Sequence, residues 1–137
     1  MKIRILISLI IMLFFIHNNI EARIGETPEQ CEKRYGKSFT LEENDFTYYR
    51  KSGLIIMVNF FEGKVDMIGF RKVEENILGI AEELSDNEIQ ALLKVNGEKR
   101  LWKERNIISM NKEWETADGE IFAYYNFMQK FLSIAKR

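Results

Sequence analysis

Histidine, cysteine and proline each occur once in this chain of 137 residues, as His17, Cys31 and Pro28. The histidine falls in an N-terminal stretch that reads as a removable leader, so the remaining chain has no imidazole. That excludes Ser-His-Asp and Cys-His nucleophile pairs and the usual zinc sites, which need His or several Cys together. A single cysteine excludes an intrachain disulfide, and free Cys is among the most buried residue types, so Cys31 is expected in a core. Neither sign of charge dominates: 20 Lys and Arg stand against 21 Asp and Glu. No global field therefore selects nucleic acid or an anionic surface as partner. Gly-rich phosphate loops and calcium-binding loops are also missing, and the sequence calls for no cofactor and no metal.

The one long apolar run is at the start. Lys2 and Arg4 precede Ile5 to Ile16, a run broken only by Ser8, and Ile20-Glu21-Ala22 ends on a small residue. Residues 1–22 thus read as a secretory signal peptide, with the mature chain starting at Arg23. The run is shorter than the roughly 20 apolar residues a bilayer core needs, which argues against a permanent anchor. Taking Lys2 and Arg4 from the 20 bases and Glu21 from the 21 acids leaves 18 against 20. Residues 23–137 are enough for one domain with a real core and too few for two.

Within that domain two half-units, 23–72 and 85–137, share one grammar, with 73–84 as a linker. Each opens on a capping box: Thr27 with Gln30, and Ser85 with Glu88. In each, the hydroxyl is placed to accept from the N3 amide while the N3 side chain reaches back. Pro28 sits at the first helical position, and Gly36 and Asn96-Gly97 are stop signals. Aromatic and β-branched runs follow. The expected strands are 46–50, 54–61 and 65–71 in the first half, and 112–117, 120–126 and 131–135 in the second. In the linker, Val73, Ile77, Ile80, Ala81 and Leu84 have helical spacing around Gly79. The fold class is α+β, two pseudo-repeated units of a short helix and a three-stranded antiparallel meander, helices packed on one face of the sheet.

Side chains alternate along a strand, so loop lengths fix which residues share a face. A two-residue Asp118-Gly119 turn puts Trp114 opposite Ala123, and a four-residue loop at 127–130 puts Tyr125 opposite Leu132. That face is core, and Glu113, Glu115, Phe122, Tyr124, Phe131 and Ser133 lie on its reverse. Reading three-residue loops at 51–53 and 62–64 gives a first-half core of Phe46, Tyr48, Ile56, Val58, Phe60, Ile68 and Phe70. Its reverse carries Tyr49, Ile55, Met57, Phe61, Val65 and Met67. A reverse face this apolar is either a binding surface, with Tyr49, Met57, Phe61, Phe122 and Tyr124 as anchors, or ordinary packing covered by a loop or by the linker 73–84.

The residues Ile24 to Cys31, then Tyr35-Gly36-Lys37, then Phe60 to Val65 with Ile68, resemble the helix-then-meander motif of the SmpA/OmlA outer-membrane assembly lipoproteins and of the β-lactamase inhibitor protein. The inhibitor type has two such units in tandem. Small exported bacterial proteins with this Gly-x-Thr and Tyr-Gly opening are more similar still. The resemblance covers about 23–71 and 85–135 and implies a non-enzymatic protein that binds other proteins with its sheet. Two positions depart from the pattern: no lipid-attachment Cys follows the leader, and Ser38 stands where those families often have Pro.

Two further groups of residues suggest other chemistries. Glu113 and Glu115 beside Tyr124 have the makings of a carboxylate hydrolase, against the commoner reading of charges that keep a strand soluble. Lys94, Lys99, Arg100, Lys103, Arg105 and Lys112 surround Trp102 as a basic stretch, diluted by Glu98 and Glu104. The expectation is an exported, non-enzymatic protein-binding or envelope-associated module, periplasmic or secreted, whose partner is another envelope or secreted protein, with no nucleic acid and no membrane span after processing. A secreted hydrolase and a purely structural exported domain are the alternatives.

Overall fold

The computed structural model describes residues 23–41, 45–73, 82–105 and 108–137. The leader and nearly all of the linker, with its expected helix, lie outside the described residues. Among the described residues the fold is α+β: two helices and an eight-stranded antiparallel sheet. In chain order these are α1 (Pro28–Tyr35), β1 (Phe39–Thr40), β2 (Thr47–Lys51), β3 (Leu54–Phe61), β4 (Lys64–Lys72), α2 (Asp86–Asn96), β5 (Trp102–Arg105), β6 (Lys112–Thr116), β7 (Ile121–Asn126) and β8 (Phe131–Lys136). Across the sheet the order is β1-β2-β3-β4-β8-β7-β6-β5, so the last strands of the two halves meet at its centre.

Both helices start where the capping boxes place them. The Gln30 amide donates to the Thr27 hydroxyl at 3.4 Å while the Thr27 amide donates to the Gln30 side chain at 2.9 Å. Ser85 and Glu88 repeat the exchange at 3.3 and 2.7 Å. Each box thereby satisfies two amides that a helix start leaves orphaned. The buried faces of these helices, Cys31 and Tyr35 on α1 and Ile89, Leu92 and Leu93 on α2, join one apolar cluster with Tyr49, Ile56, Ile68, Phe70, Leu132 and Ile134 from the sheet. The Tyr35 and Tyr49 rings lie 5.3 Å apart, and the Trp102 indole N–H donates to the Leu93 carbonyl at 2.6 Å. The side of the sheet that carries this cluster is the inner face.

The second half has the expected register: Trp114 pairs with Ala123, Tyr125 with Leu132 and Ala123 with Ile134. The first half corrects it at two places. Lys51 pairs directly with Leu54, so the turn is the two residues Ser52 and Gly53, both with positive φ, as in a type I′ hairpin. One residue fewer in the loop shifts the register by one and exchanges the faces of the two tyrosines. Tyr49 pairs with Ile56 and is fully buried on the inner face, while Tyr48 pairs with Met57 on the outer face. The next turn, Glu62-Gly63, is likewise two residues, but a register shift after Asn59 compensates, so Ile56 still pairs with Phe70 and Val58 with Ile68. Past the shift, Val65 pairs with Phe60 and is buried, not on the reverse face.

Two strands were not expected, β1 and β5, and they are the edges. Their shortness, and the Lys103-Glu104-Arg105 sequence of β5, protect unpaired strand edges from adding further chains. Gly25 and Glu26 close part of another gap: the Gly25 amide donates to the Val65 carbonyl at 2.7 Å, and the Val65 amide to the Glu26 carbonyl at 2.8 Å.

If these two short helices depend on their boxes, Thr27→Ala and Ser85→Ala should each lower stability by about 0.5 to 2 kcal/mol. Denaturant melts read this directly. Curves that overlay wild type would show that the helix starts are held by packing alone.

Candidate functional site

The outer face is built from one continuous row of cross-strand partners: Tyr48, Met57, Gly69, Ser133, Tyr124 and Glu113, one from each of six adjacent strands. Its left end is aromatic and apolar, with Tyr48 stacked on Phe39 of β1 at 5.6 Å. Its right end is charged, where Arg105 meets Glu113 at 3.6 Å. At the centre a Cβ on Gly69 would overlap the ring of Phe131, so this glycine is where an aromatic side chain lies flat on the sheet. The row therefore reads aromatic, thioether, Phe131 over glycine, and then Tyr124.

Of the five expected anchors, Met57, Phe122 and Tyr124 lie on this face. Met57 and Tyr124 share the row, and Phe122, 39% exposed, is two residues before Tyr124 on β7. Phe122 and Tyr124 line a concavity of about 260 Å³ with Arg105, Glu113 and Arg137. The Tyr124 hydroxyl accepts from the Asn111 amide group at 2.6 Å, and Asn111 in turn accepts from the Phe127 amide at 3.2 Å. Phe61 is 64% exposed but lines a different concavity, of about 300 Å³, with Ile24, Lys64, Arg100 and Glu120. Tyr49 is not on the outer face at all. Sequence reading missed Tyr48 and the Gly69–Phe131 contact; the two-residue Ser52-Gly53 turn was the signal for the first, and an isolated glycine inside a strand was the signal for the second.

Several charged residues of the Glu113–Glu115 pair and of the basic stretch are held in ion pairs. Glu113 is held by Arg105, and Glu115 by Arg137 at 3.1 Å. In the basic stretch, Arg100 is gripped by Glu98 at 2.6 Å, Asp118 at 2.6 Å and Glu120 at 2.8 Å. The Asp118 carboxyl is lowered to about 2, by the Thr116 hydroxyl, the Glu120 amide and then the Arg100 guanidinium. Lys112 is tied to Asp86 at 2.7 Å, and Trp102 is packed against the core. Among the described residues no group of three or more His, Cys, Asp or Glu is placed to hold a metal ion. No described helix is long and apolar enough to cross a membrane.

At the margin of the core beside α1 lies a polar cluster. Glu26, 7% exposed, takes two donors from Arg34, at 3.0 Å from Nε and 2.5 Å from Nη2. Pairs exposed to water are worth at most about 1 kcal/mol, whereas removing one partner of a buried pair costs several times that. The Cys31 thiol points at the same carboxylate, Sγ to Oε2 being 3.9 Å. The Tyr35 and Tyr49 hydroxyls are buried with no protein partner. Burial, then the negative charge of Glu26, pushes the Cys31 thiol up to about 12. Burial also pushes Tyr49 up to about 12, and burial with Glu26 raises Tyr35 further.

Comparison with protein-family models, with characterised proteins and with solved structures finds no match to this chain.

A thiol raised to about 12 stays protonated through neutral pH, and the protonated form is not the nucleophile. Native Cys31 should therefore resist iodoacetamide from pH 7 to 9 and react fully once the chain is unfolded in guanidinium. Labelling of the native protein at the unfolded rate would contradict its burial beside Glu26.

Proposed function

We propose that this chain is an exported, non-enzymatic protein-binding module of the cell envelope or its surroundings, working through the outer face of its sheet. The observation that carries the reading is the row from Tyr48 through Met57 and Phe131 to Tyr124, with Phe122 beside it. Aromatic and thioether side chains in a patch rimmed by charges, here Arg105 and Glu113 at one end and Arg50 and Arg71 beside Ile55 at the other, are the composition of interface centres. In this reading both helices cover the inner face, which leaves the outer one for a partner. The anchors are Met57, Phe122 and Tyr124; Tyr48, only 9% exposed, takes the place of Tyr49 in the row and backs them.

The pseudo-repeat belongs to the same proposal. Its support is the element order, in which a capped helix and a short edge strand precede a three-stranded meander twice. The resemblance to the helix-then-meander binding proteins points the same way. Export rests on Lys2, Arg4, the Ile5 to Ile16 run and Ala22.

The test is the double variant Met57→Glu with Phe122→Glu, expressed with its native leader, the start of the secreted chain at Arg23 being read by intact mass. A photocrosslinker at Ser133, in the centre of the row, should trap a discrete partner in wild type. In the double variant that adduct should fall by about tenfold or more with an unchanged circular dichroism spectrum. An undiminished adduct in a folded variant would move binding off this face.

A further inference from the structure

The concavity on the outer face at β5, β6 and β7 has a floor and a rim of different chemistry. Phe122 and Tyr124 alternate with Ala123 on β7 and so present their rings on one side of the sheet, beside Glu113, which pairs with Tyr124 across the β6–β7 ladder. The Tyr124 residue is held at both ends. Its hydroxyl accepts from the Asn111 amide group at 2.6 Å, and its carbonyl accepts from the Ser133 hydroxyl at 3.3 Å. Phe122 stays 39% exposed. One fixed ring and one open ring side by side make a platform for a flat apolar surface.

Arg105 and Arg137 stand at the rim, and each has a carboxylate of its own: Glu113 lies 3.6 Å from Arg105, and Glu115 lies 3.1 Å from Arg137. No lining charge is left unbalanced. Lys103 opposes Glu115 across the β5–β6 pair and is outside the lining. A guanidinium has several N–H donors and a carboxylate several lone pairs, so one contact within each pair leaves most of both groups free for a ligand. The rim therefore offers donors and acceptors without a net field. An anion would have to displace Glu113 or Glu115, and a cation would have to displace an arginine. At about 260 Å³ the concavity is also just below the size at which pockets for extended small molecules begin, roughly 300 Å³, so it suits one compact ring.

We propose that this concavity binds a neutral sugar ring, one pyranose unit of an uncharged glycan. A pyranose has an apolar face of C–H groups and a rim of hydroxyls, each able to donate once and accept twice. The C–H face lies on Phe122 and Tyr124, while the hydroxyls accept from Arg105 and Arg137 and donate to Glu113. An aliphatic protein side chain would fit the rings but would take water from the paired rim groups without replacing its hydrogen bonds, which is costly. Sugar hydroxyls replace them. The proposal goes beyond the outer-face reading, since Arg105, Glu113 and Arg137 are not among its anchors. It rests on that reading only in needing Phe122 and Tyr124 to face an open surface.

An NMR titration of the isotope-labelled secreted chain, its start verified by intact mass, tests this with cellotetraose, chitotetraose, maltotetraose and mannotetraose, and with tetragalacturonate as the charged control. Wild type should show saturable shifts at Phe122, Tyr124 and the Arg105 Nε–H with at least one neutral sugar, and none with the uronate. Phe122→Ala, with an unchanged circular dichroism spectrum, should weaken that binding about fivefold or more. Glu113→Gln, which frees Arg105 from its partner, should move the preference toward the uronate by about threefold or more. A pair that only holds the strands together would leave the preference where it is. The proposal is overturned if no neutral sugar gives saturable shifts, if wild type prefers the uronate, if Phe122→Ala binds equally well, or if Glu113→Gln leaves the preference unchanged. No protein partner is present in the titration, so its failure leaves the Ser133 adduct as a separate test of the outer-face reading.

Discussion

The fold depends on four residue pairs at the middle of the sheet, where β4 meets β8. Met67 faces Ala135, Ile68 faces Ile134, Gly69 faces Ser133 and Phe70 faces Leu132. All of residues 73–130 lie between these strands in sequence, and closing so long a connection costs entropy that grows only slowly with length. The return is large, because Ile68, Phe70, Leu132 and Ile134 are all fully buried on the inner face. Each such side chain contributes roughly 1.5 to 3 kcal/mol on burial. Without this seam the sheet would be two separate four-stranded pieces, each with a long apolar edge. With it, the edges among the described residues are β1, two residues long, and the charged β5.

The same seam determines what each face can do. On the inner side Tyr35 and Leu93 join the same apolar cluster as Ile68, Phe70, Leu132 and Ile134, with the Glu26–Arg34 pair at the margin. On the outer side it puts the smallest side chain, Gly69, next to Ser133, and Phe131 fills the space that results. That ring lies against Gly69 of the first half and on the same face as Tyr124 and Phe122 of the second. The outer row is continuous for this reason. Charges on this face stand at its far end, on β5 and β6, and beside Ile55 at the other, as Arg50 and Arg71.

Much of this was legible in local chemistry. Capping boxes act within four residues, so Thr27 and Ser85 could be placed from sequence alone, and the Asp118-Gly119 turn determined the register of the whole second half. The first half was harder because Lys51-Ser52-Gly53 and Glu62-Gly63-Lys64 each allow a two- or a three-residue turn. Only pairing across strands decides between them. The choice of two at Ser52-Gly53 moved Tyr49 from the proposed site into the core and put Tyr48 on the outer face. At Glu62-Gly63 the shift after Asn59 concealed the same choice, so Ile68 and Phe70 were placed correctly while Val65 was not. Edge strands β1 and β5 carried no periodic signal, being too short or too charged. Burial of Cys31 was legible from its type, but the cluster with Glu26, Arg34 and the two tyrosines was not, because it joins a turn, a helix and a strand.

Amide hydrogen exchange at the β4–β8 seam is the most direct measurement of whether the molecule is one cooperative unit built on these four pairs. Slowly exchanging amides of β3 and β4 should open with the same free energy as those of β7 and β8, and that value should match the global unfolding free energy from denaturant melts. Two distinct plateaus, one for each half of the chain, would show that the halves unfold separately and that the seam is not what holds the sheet together.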